Sequence, residues 1–159
     1  MYVDAANDRA FVYGGGELLV LDNLSTLDGP DTEPDRTVAG EATMLAGNFI
    51  AVDVARDRLY VCVRNDERIL VFNNLDTMDG NVAPLHVIEG DQTGLNAPMN
   101  ICLDLDRGHL YQINDTGRDQ TVRVWHDAPN ADGNVPPDRT IFSAADRLNG
   151  VLSVFFLND

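Results

Sequence analysis

One phrase occurs three times in this chain, as "DNLSTLDGPDTEP" at 22–34, "NNLDTMDGNVAP" at 73–84 and "HDAPNADGNVPP" at 126–137. A phrase that recurs at a fixed interval constrains the fold more than any composition does, because each copy must then be one structural unit stacked on the next. The flanking segments repeat as well. "VDAANDRAFVY" from Val3 matches "VDVARDRLYVC" from Val52 and "LDLDRGHLYQI" from Leu103, and "ELLVLDN" from Glu17 matches "RILVFNN" from Arg68 and "TVRVWHD" from Thr121. The period is about 50 residues, and three repeats, approximately 3–51, 52–102 and 103–149, fill the chain.

Each repeat holds four short apolar or alternating runs separated by Gly, Asp, Asn or Pro. In the second they are "NFIAVDV", "RLYVCV", "RILVFN" and "PLHVI"; in the third, "MNICLDL", "HLYQI", "TVRVWH" and "DRTIF". None carries a sustained 3.6-residue apolar stripe, so the reading is all-β with tight turns. Four strands at this period are the signature of a β-propeller blade, three blades to the chain. The recurring phrase then joins the third strand of a blade to the fourth. Asp28-Gly29, Asp79-Gly80 and Asp132-Gly133 supply turn residues, and Pro34, Pro84 and Pro137 precede an outermost strand that tolerates them on its free side. Asp, Asn and carbonyl groups in that loop also raise a calcium site as an alternative, although the ligand pattern of an EF-hand closed by Glu is absent.

At repeat level the chain, and "GLNAPMNICLDLDRGHLYQI" above all, resembles the NHL and related TolB-like six-bladed propeller repeats. In these a proline-containing loop leads into an inner strand ending in Asp, followed by an Arg-Leu-Tyr-Val strand. "LAGNFIAVD" and "LNGVLSVFFLND" depart from the pattern by lacking the Pro. A WD40 reading of "DQTVRVWHD" fails because the sister strands lack Trp and no Gly-His dipeptide opens the repeat.

Closed propellers carry roughly four to eight blades, so three leave two apolar faces open. The simplest closure is a homodimer, two copies forming a six-bladed ring, in accord with the resemblance. The segment 150–157, with Val151, Leu152, Val154, Phe155, Phe156 and Leu157, is expected to supply the inner strand of the partner's first blade. A fragment of a longer propeller is the competing reading.

Propeller ligands sit at the channel mouth, here segments 40–49, 90–100 and 143–153 with the turns between second and third strands. The polar candidates for ligand binding are Asn48, Asn65, Asp66, Asn100, Asn114 and Asp115. The bland reading of each is an ordinary turn residue. The resemblance also implies a possible divalent-metal hydrolase or lyase of the lactonase type, with a metal held by Glu, Asn and Asp. No inner strand contains Glu, the five being Glu17, Glu33, Glu41, Glu67 and Glu89, so that carry-over fails residue by residue. His86, His109 and His126 have no metal-ligand spacing. Ser25, Ser143 and Ser153 lack a G-x-S-x-G setting, and no phosphate loop or dinucleotide fingerprint is present. The first expectation is therefore a noncatalytic scaffold, without catalytic residues or cofactor, that binds a protein, a peptide or a small ligand.

The formal charge is −15, from 26 acidic and 11 basic residues, and all the bases are Arg. Such a surface repels nucleic acid and anionic membrane. Asp supplies 21 of the acids, which fits either high-salt adaptation or a GC-rich coding bias. No apolar run is long enough to span a bilayer and no signal peptide is visible, leaving the compartment open. Cys62 and Cys102 lie in apolar runs and are expected to be buried free thiols. Arg9, Arg58 and, at the same repeat position, His109 are expected to pair with Asp4, Asp53 and Asp104.

Overall fold

The computed structural model describes residues 1–30, 32–47, 49–114 and 121–142. Among the described residues, twelve strands form three four-stranded antiparallel sheets, each in chain order. The first contains β1 (Tyr2–Asp4), β2 (Arg9–Gly14), β3 (Glu17–Asp22) and β4 (Arg36–Val38). The second contains β5 (Phe49–Asp53), β6 (Arg58–Val63), β7 (Arg68–Phe72) and β8 (His86–Ile88). The third contains β9 (Pro98–Asp104), β10 (His109–Asn114), β11 (Val122–Trp125) and β12 (Arg139–Ile141). Among the described residues the only helical elements are single 3-10 turns, and no helix is long and apolar enough to cross a membrane.

The middle sheet explains why its strands read as unbroken apolar runs. Successive side chains of a strand point to opposite faces, and both faces of this sheet are covered. Leu59, Val61, Val63, Leu70 and Phe72 pack with Phe11, Leu18, Val20 and Val38 of the first sheet. Tyr60, Cys62, Ile69 and Val71 pack with Ile101, Leu103, Leu110 and Trp125 of the third. The first strands converge, β1 lying against β5 and β5 against β9. Cys62 and Cys102 are buried free thiols, and burial raises the pKa of both, that of Cys102 to about 11.

The first turn of each sheet is built on a buried carboxylate. Asp4, Asp53 and Asp104 are 4%, 2% and 1% exposed, and each accepts the backbone N–H three residues on, from Asn7, Arg56 and Arg107. Their charge partners differ from the sequence expectation in two of three cases. Asp4 pairs with Arg9 at 2.9 Å, as expected. Asp53 instead pairs with Arg56 at 2.8 Å, and Asp104 with Arg107 at 2.7 Å. The cause is local: the turn that folds the i+3 N–H onto the carboxylate also brings the i+3 side chain beside it. The first sheet has Asn7 at i+3, which carries no charge, so Arg9 supplies the cation there. Arg58 is released to donate to carbonyls, through Nε to Pro129 O at 3.3 Å.

The Asp4 and Asp104 pairs set the acid response. Burial works to raise the Asp4 pKa, but hydrogen bonds from Asn7 and Arg9 outweigh it and hold the carboxyl below its usual range. The Arg107 hydrogen bond lowers that of Asp104. Carboxyls with depressed folded-state pKa values contribute stability above their unfolded value of 3.8, and lose it as pH falls through the folded value. His109 is lowered by burial and by His126 beside it, so it favours the neutral ring and begins to cost stability as pH falls below 6.5. Melting temperature is therefore expected to decline gently below about pH 6.5 and steeply below about pH 4. A scan from neutral to acid pH checks this, with His109→Asn expected to remove only the first phase.

One side chain contradicts its surroundings. Gln112 on β10 is fully buried, and neither end of its amide has a hydrogen-bond partner among the described residues. Its repeat counterparts are Val12 and Val61. A buried amide without a partner costs about 1–3 kcal/mol, so Gln112→Met is expected to raise stability by about that amount. An unfolding midpoint in urea at or below the wild-type value would contradict the assignment.

Candidate functional site

The recurring phrase does more than turn the chain. In the second sheet, Asp79-Gly80-Asn81 reaches across to the outer strand of the first. Thr37 N–H donates to Asp79 Oδ1 at 2.9 Å, Gly80 N–H to Thr37 O at 2.8 Å, and Ala39 N–H to Gly80 O at 3.1 Å. Asn81 Oδ1 accepts the Ala42 N–H at 2.8 Å. Asp132-Gly133-Asn134 of the third sheet repeats the pattern on β8. Val87 N–H donates to Asp132 Oδ1 at 3.0 Å, Gly133 N–H to Val87 O at 2.8 Å, and Gln92 N–H to Asn134 Oδ1 at 2.7 Å. An edge strand is thus closed by its neighbour instead of left open. Gly80 and Gly133 adopt φ of 69° and 68°, and each makes a parallel bridge to that strand.

Gly40 and Gly90 complete the clasp from the other side. They have φ of 121° and 110°, and a Cβ on them would lie 2.5 Å from Asn81 Oδ1 and 2.7 Å from Asn134 Cγ. No side chain fits where the Asn amide sits. Basic residues add a second tie between sheets. Arg9 donates to Leu75 O and Asp76 Oδ1 at 3.2 and 2.7 Å, and Arg56 donates to Leu105 O at 2.6 Å.

The sequence candidates for ligand binding fall in different environments. Asn65 and Asp66 are exposed in the turn between β6 and β7, where Asp66 lies 3.8 Å from Arg68. Asn100 is half-buried on β9. Asn114 is 1% exposed at the end of β10, and its amide is engaged at both ends: Oδ1 accepts from Asn96 N–H at 3.1 Å and Nδ2 donates to Gly94 O at 3.0 Å. It holds the loop before β9 in place. Asn48 and Asp115 lie outside the described residues, as do Val151, Leu152, Val154, Phe155, Phe156 and Leu157 of the expected closing strand.

Among the described residues, two of the open depressions are lined mainly by polar and charged groups. One of 520 Å³ lies between the β6–β7 turn and the loop after β8, with Asp66, Glu67, Glu89, Asp91 and Asn134 on its walls. Among the described residues no group of three or more His, Cys, Asp or Glu side chains converges as a metal site. The other, of 400 Å³, lies on the third sheet and is lined by Arg107, His109, Tyr111, His126 and Arg139. The His109 and His126 rings stack there with centroids 4.4 Å apart. His109 Nδ1 is buried without a hydrogen-bond partner among the described residues. In a chain of net charge −15 this hollow is lined by basic residues, with Arg107 paired to Asp104 at 2.7 Å and the His109 ring held toward its neutral form. It was not visible as a site in sequence because its members stand at scattered positions, and only the repeat register relates His109 to Arg9 and Arg58.

No family model matches the sequence, and no curated protein matches it.

Proposed function

We propose that the chain is a noncatalytic β-propeller scaffold, its three sheets acting as blades of a six-bladed ring completed by a second copy. The observation that carries this reading is the identity of the ties between successive sheets: two junctions, one pattern of apolar packing and one Asp-Gly-Asn clasp. Units joined in this way propagate until a ring closes. Exposed apolar residues mark the first sheet's outer side and the third sheet's last strand: Val3 and Leu27 are 45% and 36% exposed, and Ile141 and Phe142 are 45% and 70% exposed, whereas Ile113 and Val124 further inside the third sheet are buried.

The NHL and TolB-like resemblance supports six as the blade number. Asn65, Asp66 and Asn100 remain the candidate contacts for a protein, a peptide or a small ligand at the channel mouth, each presented twice by a twofold ring. Asn114 serves the scaffold by fixing the loop that approaches that mouth.

The alternative, a divalent-metal hydrolase or lyase, rests on the acidic depression at Asp66, Glu67, Glu89 and Asp91. Thermal melts with calcium, manganese or chelator separate the two. A scaffold keeps one melting temperature throughout, whereas a metal enzyme gains stability saturably from its ion, because a ligand bound by the folded state alone raises the unfolding free energy.

A further inference from the structure

The two internal junctions follow one chemical scheme, and the outer sides of the first and third sheets carry its two unmatched halves. Thr37 lies opposite Leu19 and Val87 opposite Leu70, and at this register the backbone N–H and C=O turn away from the sheet to meet Asp-Gly of the next. Thr140 lies opposite Arg123 at the same register on β12, so its N–H and C=O face outward too. The third sheet therefore offers a strand edge to be clasped. The first sheet offers the clasp, Asp28-Gly29, with Gly29 at φ of 94°.

The basic residues match in the same sense. Arg9 reaches forward to the carbonyl of Leu75, and Arg58 to that of Pro129. Their third counterpart, His109, lines the basic hollow with Arg139, the counterpart of Arg36, which itself donates to Leu75 O at 2.8 Å. In the first repeat the position of Leu75 is held by Leu24, at the start of the 3-10 turn Leu24–Thr26.

The sequence also adjusts both sides together. Where the internal junctions pair Asn81 with Gly40 and Asn134 with Gly90, the first repeat has Pro30 in place of Asn and the third has Ser143 in place of Gly. A Cβ in place of Gly40 or Gly90 would collide with the Asn of the next sheet, and the first repeat carries no Asn there.

We propose that the partner of the third blade is the first blade of a second copy, held by Asp28 and Gly29 on β12 and by carbonyls of the Leu24–Thr26 turn facing the His109 and Arg139 donors of the basic hollow. This rests on the ring reading above and goes further by naming the junction. A twofold axis along the channel then makes the junction twice.

The test is the dissociation constant of the whole protein by sedimentation equilibrium, for wild type, Asp28→Ala, Asp28→Asn and, as a control on the same loop, Glu33→Ala. Loss of a charge-assisted hydrogen bond is worth about tenfold per junction, so Asp28→Ala is expected to weaken the dimer about 10²-fold over two junctions. Asp28→Asn keeps the accepting oxygen but not its charge and is expected to fall between wild type and Asp28→Ala, about tenfold weaker than wild type, whereas Glu33→Ala is expected to stay near wild type. A wild-type dimer untouched by Asp28→Ala overturns this junction while leaving the ring standing. A wild-type monomer overturns both.

Discussion

Arg9→Met is expected to destabilise the protein by about 3–5 kcal/mol, the cost of stranding a buried charge by removing its partner. Arg9 and Asp4 are each 4% exposed and 2.9 Å apart, so water does not readily replace the guanidinium. The substitution also takes a donor from Leu75 O in the next sheet, and so strikes a turn and a junction together. The hydrogen bonds from Asn7 stay with Asp4 and limit the loss. A pH signature separates this cause from lost packing: the penalty shrinks as pH falls, because the stranded Asp4 carboxyl of the variant, without Arg9 to hold its pKa down, takes up a proton and sheds its charge before the wild type does. Arg56→Met on the parallel pair is expected to cost less, since Arg56 is 35% exposed and solvent can reach Asp53 in its absence. Urea denaturation of both variants at neutral and acid pH gives the comparison. Equal losses would contradict the role assigned to burial.

Phe72→Ala is the second large effect, with an expected loss of about 3–5 kcal/mol for emptying a fully packed aromatic position. Phe72 is 1% exposed and lies between the first and second sheets with Phe11 and Leu59. Its repeat counterpart, Leu21, lies half-buried on the outer side of the first sheet. The pair therefore reads out closure. On an open face Leu21→Ala costs about 1 kcal/mol or less; on a face covered by a second copy it costs about 2–5 kcal/mol and the melting temperature depends on protein concentration. A Phe72→Ala protein as stable as wild type would mean that the sheets do not draw their stability from one another.

Strand positions were legible because apolar alternation and turn residues speak directly to backbone geometry. "RLYVCV" became β6 and "RILVFN" became β7, with side chains shared between two junctions. The Asp-Gly turns were legible for the same reason. Their second role was not, because a clasp depends on which outer strand lies across from the loop, and nothing local to Asp79 or Asn81 names Thr37 or Ala42 as partners. The signal was nonetheless present in the joint recurrence of Asn81 with Gly40 and of Asn134 with Gly90. The ion pairs of Asp53 and Asp104 were misassigned because two Arg residues stood within reach of Asp53 in sequence, and only turn geometry selects the i+3 side chain. Among the site candidates, Asn114 read as a loop-tip residue, but its backbone position at the end of β10 buries the amide and commits it to the loop at Gly94 and Asn96.

The most direct measurement is the molar mass of the purified protein in solution by light scattering, at low and high salt and across a range of concentrations. A ring of six blades from two copies requires twice the chain mass, held at high salt because the junction is largely apolar and hydrogen-bonded. A well-behaved monomer at every concentration would contradict it, since the first sheet's outer side and the third sheet's last strand would then be stable in water without a partner.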